Sequence, residues 1–300
     1  MLLAACAAPA RTPAQPANTV PTAQYSLLPL SVRGSEGMHS ASHSSTTIGG
    51  VLSITGERAE LVLDLDTFVG FVRCPEEMQT GKVHTMQACA PEGAKDTRTA
   101  SKRVMRGSAR TENGALVVSV AGAEDARDRR IEPHRISLAC RDSFLGLSCS
   151  ITETNLFGVG VIEPHTMAFL TPGTKRFAIT PATVKDVGLV GGSLALDAGG
   201  RISLALWVDG GEPTTLPGSA SWMDHGISLQ AQTAPTRNLS ALCTVDGDAL
   251  ACEVTGDRSI LGKPEHIYST LRLVPEREGV PAQAPAQAPM QAPMNAAARG

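Results

Sequence analysis

The chain reads as an all-β protein. It is built from two tandem duplicated antiparallel meander domains, each a small barrel or half-barrel, between disordered Pro/Ala-rich termini. Three observations predict this. The first is an internal repeat. Residues 138–170 (LACRDSFLGLSCSITETNLFGVGVIEPHTMAFL) and 241–273 (ALCTVDGDALACEVTGDRSILGKPEHIYSTLRL) share one pattern: Cys, eight residues, Cys, a Pro/Glu/His triplet and an apolar run. Upstream, Gly107-Ser108-Ala109 answers Gly218-Ser219-Ala220, and GGVLSITGERAELVLDLD (49–66) answers GGSLALDAGGRISLALWVDG (191–210). The second observation is period-two alternation. Leu61, Leu63 and Leu65 alternate with Val62, Asp64 and Asp66, and Ile202, Leu204 and Leu206 with Ser203, Ala205 and Trp207. The third is that no long stretch keeps a 3.6-residue period.

Each copy divides into three hairpins and a closing strand. In the second copy these cover about 189–208, 218–232, 239–255 and 266–274. Asp197-Ala198-Gly199-Gly200 supplies a turn, and Asp246-Gly247-Asp248-Ala249 suits a two-residue tip at Gly247-Asp248. Counting outward from that tip places Cys243 opposite Cys252 at a non-hydrogen-bonded pair. Their face also carries Ala241, Val245, Leu250 and Val254, so a bridge there points into a core. In the first copy Cys140 and Cys149 share a face with Ile136, Leu138, Leu147 and Ile151, although Ser143-Phe144-Leu145-Gly146 is not a favoured tip.

The copies differ by an insertion at about 72–104. It holds Cys74 and Cys89, and a disulfide closing it would give roughly 3 kcal/mol in the loop-entropy model. The basic residues Lys95, Arg98, Lys102, Arg103, Arg106 and Arg110 follow, opposed locally only by Asp96. The expected organisation is a flexible tether over 1–25, a first β domain over 26–172, a second over 173–274, and a disordered Pro/Ala/Gln-rich tail over 275–300. The two domains join near 171–186, where Thr171-Pro172-Gly173 and Pro181 interrupt the pattern. Composition agrees with real cores: 42% of residues are hydrophobic. The formal net charge of −3 argues against nucleic-acid binding.

Six of the seven cysteines fall into the close pairs Cys74/Cys89, Cys140/Cys149 and Cys243/Cys252, leaving Cys6. That arithmetic suits an exported protein with three local disulfides and one separately used cysteine. Leu3-Ala4-Ala5-Cys6 resembles the lipobox of bacterial lipoproteins. The resemblance implies that Cys6 carries lipid, that a signal peptide with its basic and apolar regions begins upstream of Met1, and, with no Asp at position 7, that the outer membrane is the destination. Residues 7–24 would then be a tether reaching up to ~60 Å at about 3.3 Å per residue. The hairpin GSASWMDHGISLQ (218–230) is similar to one in lipocalin-like domains of outer-membrane lipoproteins.

The search for catalytic motifs finds no GxSxG elbow, SxxK, HExxH, P-loop or GxGxxG, so no catalytic residue, metal or cofactor is expected. His39-x3-His43 reads as a solvated loop rather than a metal pair. Glu163-Pro164-His165 and Pro264-Glu265-His266 precede the last strand of each copy, and Glu132-Pro133-His134 precedes the first cysteine hairpin. They read chiefly as strand-entry signals, with His165 and His266 kept as candidate ligand contacts. Lys102, Arg103 and Arg106 are candidate contacts to an acidic partner or anionic headgroups. The leading expectation is a non-enzymatic, lipid-anchored envelope protein that binds or scaffolds an envelope partner. The alternatives are a carrier of a small apolar ligand inside a barrel and a hydrolase with its site on the insertion loop. Non-reducing peptide mapping should recover 74–89, 140–149 and 243–252 as three separate local bridges; a bridge joining the two copies would overturn the tandem arrangement.

Overall fold

The computed structural model describes residues 22–34, 42–71, 89, 93–122, 133–156, 164–185, 187–223, 226–234, 237–257 and 266–276. All regular structure among them is β. The first eight strands are β1 (Thr22–Arg33), β2 (Ser42–Thr55), β3 (Arg58–Phe71), β4 (Thr97–Glu112), β5 (Ala115–Gly122), β6 (Arg135–Ser143), β7 (Gly146–Thr154) and β8 (Thr166–Leu170). The second eight are β9 (Lys175–Val184), β10 (Gly188–Leu196), β11 (Arg201–Val208), β12 (Thr214–Met223), β13 (Gly226–Ala234), β14 (Arg237–Asp246), β15 (Ala249–Asp257) and β16 (His266–Pro275).

Each set is an up-and-down meander closed on itself. β1 pairs antiparallel with β8 through Ser26↔Leu170 and Leu27↔Phe169. β9 pairs antiparallel with β16 through Leu273↔Ile179, Val274↔Ala178 and Pro275↔Phe177, and β11 pairs with β12. The expected duplicated meanders are therefore two eight-stranded barrels.

Eight strands per copy, rather than seven, corrects the reading of hairpins plus one closing strand. The extra strand opens each copy. β1 begins at Thr22, inside the stretch read as tether, and β9 fills the stretch read as a junction. The repeat runs through both: YSLLPLSVR (25–33) answers FAITPATVK (177–185). Pro29 and Pro181 hid this, because proline breaks a strand pattern. Each sits where the register to the next strand shifts, between Leu27 and Leu30 in β1 and opposite the shift between Val190 and Gly192 in β9. A bulge needs no ladder N–H at that point, so proline fits.

Barrel closure forces strands to coil sharply, and paired glycines permit it. An added Cβ on Gly50 would lie 2.1 Å from the Val62 carbonyl oxygen, and on Gly192 it would lie 1.9 Å from that of Ala205. Gly107 and Gly218 repeat the constraint, each with a carbonyl oxygen at 2.0 Å. These are equivalent positions in the two copies, and only a residue without Cβ lets the neighbouring backbone approach so closely.

Alternate residues fill the interiors. In the first barrel Leu52, Leu61, Leu63, Met105, Val118, Ile136 and Leu138 are wholly buried. In the second, Leu194, Leu216, Ile227, Leu250 and Leu273 take corresponding roles. Among the described residues no polar or charged side chain is buried. The cysteine hairpins match their expected register. Cys140 faces Cys149 and Cys243 faces Cys252, each pair bridged with Cα atoms 3.9 Å apart. Cys89 is also disulfide-bonded. The expected tail begins one residue too early, since Pro275 closes β16 opposite Phe177; Cys6, residues 72–88 with Cys74, and residues 277–300 lie outside the described residues.

The Phe144-Leu145 tip does form a two-residue connection despite its poor turn chemistry. Tertiary contacts hold it: Leu145 is 2% exposed, and Phe144 meets Phe177 edge-on at 6.1 Å. That contact crosses between barrels. Leu30 of β1 also pairs in parallel with Trp222 of β12, and the Trp222 indole N–H donates to Thr166 Oγ1 at 3.0 Å. One hydrophobic cluster runs through both barrels.

Gly192→Ala and Gly218→Ala should each lower stability by about 1–3 kcal/mol in urea denaturation, because strands must separate to admit a methyl group. Gly49→Ala has open space around it and should change stability by no more than about 0.5 kcal/mol. Equal effects at all three positions would remove the corner argument.

Candidate functional site

The first barrel carries an extension that the second lacks. β2, β3 and β4 have 14, 14 and 16 residues, against 9, 8 and 10 in β10, β11 and β12. The extra length is added on the side away from the β2–β3 turn. Ladder pairing continues out to Ser42↔Phe71 and Val69↔Thr97. Part of the stretch expected as an insertion loop, from Thr97 onward, is thus a strand.

Alternation sorts the charges on this arm. Leu61, Leu63 and Leu65 of β3 face inward and are buried, which sends Glu60, Asp64 and Asp66 outward. The β3–β4 register sets Glu60 opposite Arg106 and Asp64 opposite Lys102. Arg106 Nε lies 2.7 Å from Glu60 Oε2, and Lys102 Nζ lies 3.7 Å from Asp64 Oδ1. Arg98 reaches diagonally to Asp66, with Nε at 2.8 Å from Oδ1 and 3.0 Å from Oδ2. Arg110 pairs with Glu112 at 2.5 Å. The basic run, read as opposed locally only by Asp96, has Glu112 beside Arg110 two residues on, and Arg98, Lys102 and Arg106 take partners 32 to 46 residues away in sequence and adjacent in the sheet. Each pair is solvent-exposed and contributes little alone. Together they fix which charges line the outer face.

That face holds a shallow groove of about 680 Å³. It lies over two cross-strand rows, Gly49–Asp64–Lys102 and Thr47–Asp66–Ala100, with Pro29 also on its lining. The Arg98 guanidinium hydrogen-bonds the Asp66 carboxylate and holds its pKa below the ordinary value; the carboxylate in turn raises that of Arg98.

The candidate cations divide between two faces. Lys102 lines the groove, and Arg106 stands outward beside Glu60. Arg103 faces the other way. It lies opposite buried Leu63, is half-buried, and donates from Nη1 to the Leu156 carbonyl at 3.0 Å. Burial pushes its pKa down. Arg103 therefore closes one end of the barrel wall rather than joining the outer ladder.

The histidines spread out. His165 is exposed just before β8, and its carbonyl accepts from the Ile151 N–H at 2.9 Å. His266 is the first residue of β16, in register with Asp257. His134 places its carbonyl on the Gly122 N–H at 2.7 Å. The His134 and His165 backbone bonds tie the entries to β6 and β8. His43 stacks obliquely on Phe68 at 5.8 Å between centroids and covers Gly70; His39 lies outside the described residues. Among the described residues no group of three or more His, Cys, Asp or Glu is placed to hold a metal ion.

Two further spaces lie among the described residues. The second barrel encloses an apolar cavity of about 30 Å³, lined by Ile202, Leu229, Cys252 and Leu271 among others. A crevice of about 230 Å³ lies between the barrels beside Trp222 and Thr166. Sequence reasoning missed Gly49, Asp64 and Asp66 as site residues. The signal was present in the repeat, where Asp64 stands in the place of Trp207.

No family model, curated protein or solved structure matches this chain.

The Asp66–Arg98 pair gives a pH expectation. The folded-state pKa of Asp66 is depressed, so the pair's contribution is present above the ordinary value of about 3.9 and is lost as pH falls through the lower, folded value. Carboxyl-carbon NMR of Arg98→Met should show the Asp66 midpoint move upward. An unmoved midpoint would mean that the guanidinium does not set it.

Proposed function

We propose that this protein is a non-enzymatic, lipid-anchored envelope module that binds a partner through the outer face of its first barrel. The observation that carries the reading is where space is found. The second barrel is filled by its own side chains down to about 30 Å³, whereas a pocket for a small organic ligand needs roughly 300–1,000 Å³. A much larger space, about 680 Å³, is the charged groove outside, over β2, β3 and β4. A surface groove on a rigid closed barrel suits contact with another macromolecule better than carriage of an apolar molecule within.

The anchor reading rests on Cys6, its lipobox-like context and the local use of the other cysteines. Bridged cysteine hairpins suit an oxidising compartment. One acyl chain gives only marginal attachment, so Cys6 would carry more than one chain or act beside an electrostatic contact. The outer membrane, with the barrels facing the periplasm or the surface, is the proposed location.

The natural gene should give a membrane-fraction protein that labels with palmitate, and Cys6→Ser should move it to the soluble fraction unlabelled. Membrane retention of the unlabelled variant would refute the anchor. Robust turnover by the purified chain across a broad hydrolase panel would refute the non-enzyme reading.

A further inference from the structure

The duplication offers an internal comparison at the groove. Gly49 and Gly191 are equivalent, one residue before the corner glycines Gly50 and Gly192. In the second barrel Gly191 pairs with Trp207 across β10 and β11. The indole lies flat against that glycine: an added Cβ would come 2.3 Å from Trp207 Cζ2 and 2.7 Å from Cη2. Glycine is needed there because a ring covers it. In the first barrel Gly49 pairs with Asp64, and an added Cβ would meet nothing within 4 Å. Gly49 has no positive φ to require it. The same glycine platform is present, and its ring is missing.

We propose that the Gly49 groove takes an aromatic side chain, indole-like in size, from a partner polypeptide, in the place that Trp207 fills within the second barrel. This deepens the binding-module reading by naming the partner's chemistry, and it rests on that reading only for the partner being a macromolecule. The surroundings agree. Lys102 and Arg98 border the bare platform, and cations beside a ring face are attractive. Asp64 and Asp66 are acceptors within the same lining for an indole N–H. Ala100 is small and sits in the adjacent row on β4, across Asp66. The groove's 680 Å³ exceeds what one ring occupies. It is open to solvent along its length, which suits a ring presented on a chain that covers the remainder.

The test uses the full-length chain with N-acetyltryptophanamide as probe, followed by amide NMR, with N-acetylleucinamide as the comparison. Wild type should give saturable shifts confined to residues near Thr47–Gly49, Asp64–Asp66 and Ala100–Lys102. The leucine analogue should bind at least about tenfold more weakly, since it lacks the ring face. Asp64→Trp should fold normally, because it recreates the second barrel's own arrangement, and should lose the site. Gly49→Leu, which fills the platform without touching the fold, should also lose it. Trp207→Ala should expose the Gly191 platform and raise the stoichiometry from one site to two. Absence of saturable shifts in wild type, or unchanged binding in both Asp64→Trp and Gly49→Leu, overturns the proposal. Equal binding of the leucine analogue does so as well. None of these outcomes bears on palmitate labelling at Cys6, so the anchor and the ring site fail separately.

Discussion

Closing an eight-stranded sheet within so short a chain is the constraint on which the rest depends. Each strand must coil and the sheet must turn corners where backbones nearly touch. Four glycines, two per barrel at equivalent places, make those corners, with a neighbouring carbonyl oxygen about where a Cβ would stand. Because the corners fix the coiling, they also fix which residues face inward. Leucines at alternate positions then fill the interior to near completion.

The two barrels are not merely tethered. β1 changes partner along its length: Ser26 and Leu27 close the first ring on β8, and beyond the Pro29 bulge Leu30 pairs with Trp222 of the second ring. Pro29 sits against Gly200 at the β10–β11 turn, close enough that an added Cβ there would lie 2.7 Å from Pro29 Cδ. Asp197 organises that turn by accepting the N–H groups of Gly199 and Arg201 at 2.9 and 2.8 Å. Burial acts to raise its pKa, but the hydrogen bonds from Arg201 and Gly199 outweigh this and hold it low. The junction is thus a packed interface of bulge, turn and aromatic contacts, continuous with both cores.

Duplication supplied two similar barrels, and divergence made the first one different on its outside. Lengthening β2, β3 and β4 carried the sheet past the barrel rim. The added length brings Asp66 on β3 and Arg98 and Lys102 on β4, and these join Glu60, Asp64 and Arg106 of the shared barrel wall in cross-strand pairs. Asp64 stands where the second barrel has Trp207, and the Gly49 platform is bare beside that charge ladder. The groove follows from these two changes together.

How much of this was legible follows from the range of each interaction. Strand alternation and the cysteine bridges at 140–149 and 243–252 are set by neighbours within a hairpin, where register is counted outward from the turn. The sequence alone determined them, along with the duplication and the all-β class. The opening strands escaped because a proline at a bulge looks like an interruption until the partner strand is seen to need no N–H there. The unfavourable Phe144-Leu145 tip could not be judged locally, since its stability comes from Phe177 in the other barrel. The basic stretch looked unopposed because Glu60, Asp64 and Asp66 are distant in sequence, and only the β3–β4 register brings them alongside. Arg103, Lys102 and Arg106 look alike in the sequence. The tertiary structure separates them, because successive side chains on a strand point to opposite faces and only one of those faces is water.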